Sequence, residues 1–120
     1  MSKEVKFPRA AYAGGLVTDP KPTKAGGKSL FIGEESIGVG AFKPSHGIVR
    51  WDDVARVEIT SGMTGGAFGI VSPSGQQRVQ IAVERKDGTT ALYEVFRVSP
   101  AQVRSALALR LMPLGIEVAA

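Results

Sequence analysis

The chain has 120 residues, a formal net charge of +4 and no cysteine. That length fits one domain able to bury a core without metal or disulfide support. Disulfides, thiolate catalysis and cysteine zinc sites are excluded. No window is apolar for long enough to span a bilayer, and Met1–Arg9 is charged and lacks an apolar signal core. The expected location is cytoplasmic, with peripheral membrane contact left open.

The charge is unevenly placed. Residues 1–28 hold six basic side chains (Lys3, Lys6, Arg9, Lys21, Lys24, Lys28) against two acids, Glu4 and Asp19, whereas basic and acidic residues balance over 29–120. Residues 1–27 show no sustained periodicity and are punctuated by Gly14-Gly15, Pro20, Pro22 and Gly26-Gly27. They read as a basic N-terminal arm with one short strand near Ala11–Val17. Such an arm can steer the protein towards anionic partners.

Ser29–Gly33 and Ser36–Phe42 read as strands joined by a tight turn at Glu34-Glu35. Ile37, Val39 and Ala41 share one face of the second strand. Gly38 and Gly40 occupy the other, where a neighbour can approach closely. Lys43–Gly47 is a turn, and Ile48–Trp51 a short apolar strand. In Val54–Thr60, Ala55, Val57 and Ile59 are expected inward and Arg56, Glu58 and Thr60 outward. Ala67–Val71 is a candidate seventh strand within the glycine-rich stretch Gly62–Gly75.

The strongest hairpin signal lies at Arg78–Arg85 and Thr89–Val98, around Asp87-Gly88. A three-residue loop, Lys86-Asp87-Gly88 with Gly88 left-handed, pairs Ile81 with Tyr93 and Val79 with Val95. This register keeps one face apolar. It leaves Leu92 and Phe96 on the opposite face, to be covered or exposed for a partner. Ser99 then suits an N-cap and Pro100 the first helical position. Val103, Ala106, Leu107 and Leu111 repeat at helical spacing, and Pro113 and Gly115 end the helix. The tail, 113–120, carries no evident structure. Six to seven strands in succession followed by one helix indicate a mainly β, α+β domain over 28–112.

The sequence from Ile48 through Trp51, Asp52-Asp53 and the alternating strand to Ile59, followed by the Gly88 hairpin and terminal helix, resembles bacterial members of the pleckstrin-homology-like superfamily, which includes GRAM-type domains. The glycine- and proline-punctuated lead-in from Ala13 to Lys28 is similar to actinobacterial or actinophage proteins of this type. The resemblance covers about residues 12–112. It implies a bent antiparallel barrel capped at one end by the helix, binding phospholipids, peptides or proteins. Lipid-binding members carry basic residues around the loop between their first two strands. Here that loop reads as Glu34-Glu35, whose charge would repel a phosphate headgroup and favours a protein partner.

Other constellations point nowhere sharper. Gly26-Gly27-Lys28-Ser29 lacks the first glycine of a phosphate-binding loop, since Pro22 stands there, and it opens a strand rather than a helix. His46 sits alone in a turn. Adjacent Asp52 and Asp53 point to opposite faces of extended chain. No catalytic, metal or cofactor residues are assigned. The expected function is a non-catalytic protein–protein interaction module, with partner contact at Leu92, Phe96, Gly65, Gly66 and Phe68. The alternative is peripheral binding to anionic lipid through Lys21, Lys24, Lys28 and Lys43. Nucleic acid is disfavoured, because no strand face interleaves basic and aromatic residues. Self-association through a strand edge stays open.

Overall fold

A computed structural model describes residues 4–23, 27–63 and 77–119. Among these the chain forms nine strands and one long helix. The strands are β1 (Val5–Pro8), β2 (Ala10–Gly14), β3 (Ser29–Ile32), β4 (Ser36–Gly40), β5 (His46–Arg50), β6 (Val54–Met63), β7 (Gln77–Arg85), β8 (Thr90–Phe96) and β9 (Val118–Ala119); the helix, α1, is Pro100–Leu111. The smaller sheet has the order β1-β3-β4-β5 and the larger β2-β8-β7-β6-β9. The fold is mainly β, but the strands form two sheets rather than the closed barrel expected.

The N-terminal segment is more than an arm. Within 1–27, β1 pairs with β3 in one sheet and β2 with β8 in the other. The chain changes sheets at Arg9, whose φ is +60°. There the Ala10 N–H donates to the Lys28 carbonyl at 3.1 Å, and the Phe96 N–H donates to the Arg9 carbonyl at 3.0 Å. Glu34-Glu35 therefore joins the third and fourth strands, and the loop that follows the bent β1–β2 unit is described over 15–23.

The expected hairpin register is present: Ile81 pairs with Tyr93 and Val79 with Val95. Gly88 has φ +93°. Ala91, Tyr93 and Val95 point into the core with Val79, Ile81 and Val83. In β6 the alternation is interrupted. Val54 pairs with Arg85 and Arg56 with Glu84, so Ala55 is the extra residue of a bulge and turns outward, exposed rather than buried. Leu30, Ile32, Ile37, Val39 and Val49 of the smaller sheet complete the core. Phe31 is buried on the outside of that sheet, with the Lys6 ammonium 5.7 Å from its ring centre. Beside it, Gly38 permits close approach as expected: a Cβ there would lie 2.9 Å from Cβ of Pro44.

Ser99 caps α1, accepting from the Gln102 N–H at 3.2 Å. Val103, Ala106, Leu107 and Leu111 are buried. The tail is structured too. After a left-handed Gly115 (φ +74°), β9 runs parallel to β6, pairing Val118 with Val57. Arg104 Nη1 donates to the Val118 carbonyl at 2.8 Å. No helix among the described residues is long and apolar enough to cross a membrane. The Ala67–Val71 strand lies outside the described residues, as do Lys24, Gly65, Gly66 and Phe68.

Candidate functional site

Three surfaces carry the candidate residues. On the outer face of the larger sheet, Leu92 is 43% exposed. It lines a depression of about 340 Å³ with Ala13, Glu58, Thr60, Gln80 and Glu94. Phe96 is on the same face but does not extend that patch. Glu94 stands between them in the strand and is paired with Arg78 at 2.8 Å, both side chains mostly buried. Phe96 belongs to a separate cavity at the Arg9 corner, with Phe7, Pro8, Arg97, Val98 and Gln102. The apolar pair read from the sequence is therefore two sites divided by an ion pair.

The second surface is built by loop 15–23 and the β4–β5 turn, residues 41–45. Asp19 ties the loop to the start of β5, directly after that turn: its carboxylate accepts from the Gly47 N–H at 2.8 Å and lies 3.9 Å from His46 Nδ1. The tie rests on two tyrosines packed 5.8 Å apart. The Tyr12 hydroxyl donates to the Asp19 carbonyl at 2.5 Å and accepts from the Leu16 N–H at 3.1 Å. Thr23 closes the loop onto the Tyr12 backbone, its N–H donating to the Tyr12 carbonyl at 2.8 Å. The Tyr93 hydroxyl donates to the Gly47 carbonyl. Burial raises the Tyr93 hydroxyl well above the usual tyrosine range. Tyr12 is raised as well, by burial first; the Leu16 N–H opposes this and the Asp19 charge adds to it. Both phenols thus stay neutral donors.

This clamp presents apolar side chains to solvent. Phe42 is 95% exposed and Val17 78%. Lys43 follows Phe42 directly, and Lys21 follows Val17 by four residues on the clamped loop. Lys28 precedes β3 at the same end of the smaller sheet, because Ser29 pairs with Gly40, the residue before the 41–45 turn. Three of the four lysines read as lipid ligands thus lie at one end. Glu34-Glu35 lies at the other end of β4, where Glu35 and Asp52 flank Arg50 at 3.8 and 3.4 Å. The two acids are therefore remote from the lysines, and the expectation that they repel a headgroup loses its geometric basis.

The sequence reading missed Tyr12, Asp19, Val17 and Phe42. An aromatic between Gly40-Ala41 and Lys43-Pro44 was the available sign of an exposed ring, since a proline turn leaves little to pack on it. The Asp19–Gly47 tie spans 28 positions and leaves no local trace. Among the described residues, no three His, Asp or Glu side chains group as metal ligands would. No family model matches the chain, and no curated protein or solved structure matches it either.

Proposed function

We propose that this chain is a non-catalytic binding module of pleckstrin-homology-like architecture that seats on an anionic lipid surface through loop 15–23 and the 41–45 turn. The architecture is supported by the element order: a bent first unit, β1–β2, shared by two largely antiparallel sheets, successive strands, then a helix near the end of the chain. The observation that carries the lipid reading is Phe42, 95% exposed beside Lys43 on a turn held to a second loop bearing Val17 and Lys21. An exposed aromatic enters the acyl boundary while neighbouring lysines meet the headgroups. Each lysine near an anionic surface contributes about 1 kcal/mol, so Lys43→Glu is expected to lower vesicle partitioning by about tenfold or more. Co-sedimentation with phosphatidylserine-containing vesicles over a salt series tests this. Binding should weaken as salt screens the lysines, and Phe42→Asp should weaken it at every salt concentration. Absence of binding at low salt would remove the lipid reading.

A protein partner is the second reading, supported by the Leu92 depression. Because an ion pair separates Leu92 from Phe96, Leu92→Asp should abolish recovery of such a partner from host lysate while Phe96→Asp leaves it in place. Equal recovery with both variants would count against that surface.

A further inference from the structure

His46 opens β5 directly after the 41–45 turn and faces loop 15–23. Its Nδ1 lies 3.9 Å from Asp19 Oδ2, the same oxygen that accepts the Gly47 N–H at 2.8 Å. Asp19 stands in the loop between Val17 and Lys21, and His46 follows Phe42 and Lys43 by four and three residues. The imidazole thus belongs to the face that carries the exposed apolar side chains and the lysines. It is open to water, with 45% of its side chain exposed.

Histidine is the side chain whose ordinary charge change falls between about pH 5 and 8. Among the described residues, the elements around His46 bring few other titratable groups. Loop 15–23 brings Asp19 and Lys21, and the 41–45 turn brings Lys43. Tyr12 of β2 packs under Gly47, and Tyr93 of β8 donates to the Gly47 carbonyl. From β4 the paired residue is the apolar Val39. Both phenols are raised and stay neutral through this range. A neutral imidazole leaves Lys21 and Lys43 opposed by the Asp19 carboxylate. An imidazolium offsets that carboxylate and adds attraction between the loop and β5, which the Gly47 N–H already joins. We propose that protonation of His46 strengthens the seating of this face on an anionic lipid surface, a regulation that rests on the lipid reading of the same face.

Co-sedimentation of the full chain with phosphatidylglycerol vesicles at about pH 7.5 and about pH 5.5, at one low salt concentration, tests this. The phosphodiester headgroup keeps its charge over this range, so a change in binding belongs to the protein. One added charge beside an anionic surface corresponds to about a fivefold gain in partitioning at the lower pH. His46→Gln should bind equally at both pH values, at the level of the parent at the higher pH. His46→Lys carries a fixed charge and should also bind equally at both, near the level of the parent at the lower pH. The His46–Asp19 pair is partly exposed and contributes little to stability, so both variants should keep the amide spectrum of the parent. Parent binding that does not change with pH, or a pH response retained in folded His46→Gln, would overturn the proposal and leave the lipid reading in place. Absence of binding at either pH would remove both.

Discussion

Two corners of this molecule use the same backbone conformation for opposite reasons. At Gly47, φ is +60°, and a Cβ there would lie 2.3 Å from Cδ1 of the buried Tyr12 ring. Glycine is imposed by packing, because the Tyr12–Tyr93 clamp leaves no volume. At Arg9, φ is again +60°, yet the residue is exposed and carries a long side chain. The difference teaches how to read a positive φ. Where glycine fills it, the local cause is strain or space. Where arginine fills it, the hydrogen bonds of the sheets on either side hold the backbone against its own preference.

The sharpest way to break the comparison is Gly47→Ala. It combines a left-handed penalty with overpacking against a buried aromatic, for a loss of about 3 kcal/mol. A urea midpoint should fall accordingly, with the slope unchanged. An alanine variant as stable as the parent would show that the clamp yields, and that packing does not explain this glycine. Tyr93→Phe comes next. The ring stays, but the Gly47 carbonyl loses its donor. Leaving a buried acceptor unpaired costs about 2 kcal/mol, and loop 15–23 should gain faster amide exchange because Gly47 also anchors Asp19.

The same tyrosines set an alkaline limit. Their hydroxyls titrate higher folded than the ordinary value of 10.0. A raised pKa contributes stability that is fully present below the unfolded value and is lost as pH climbs above it. Stability should therefore be flat through neutral pH and decline above pH 10, by at most about 1.4 kcal/mol per pH unit for each tyrosine. Tyr93→Phe should make the decline shallower. An equal slope in the variant would place the alkaline transition elsewhere.

The contrast between corners also explains what could be read from the sequence. The β7–β8 register was legible because Asp87-Gly88 fixes a loop length and only one resulting pairing keeps Val79, Ile81, Tyr93 and Val95 together. The helix was legible because Ser99-Pro100 and Pro113 mark both its ends. The first strands were not. Val5 and Phe7 alternate in one phase, and Ala10, Tyr12 and Gly14 in the other. The slip at Arg9 reads as absence of periodicity, although physically it is the change of sheet. β9 is two residues long and held by Arg104 and the β6 edge, so no local pattern could mark it. Of the candidate sites, the lysines were visible as composition. Their gathering at one end required knowing that loop 15–23 meets the start of β5, next to the 41–45 turn, through Asp19.

The smallest expected effect is the most discriminating. Arg9→Gly relieves a left-handed residue, a gain of about 1 to 2 kcal/mol, but glycine gives up about 0.5 to 1 kcal/mol through greater freedom in the unfolded chain. The balance is a stabilisation of about 0.5 kcal/mol. The thermal midpoint should therefore rise by a few degrees, opposite in sign to the fall with Gly47→Ala. If Arg9→Gly loses stability instead, the guanidinium is holding the corner together, and the two corners differ only in which atoms do the packing.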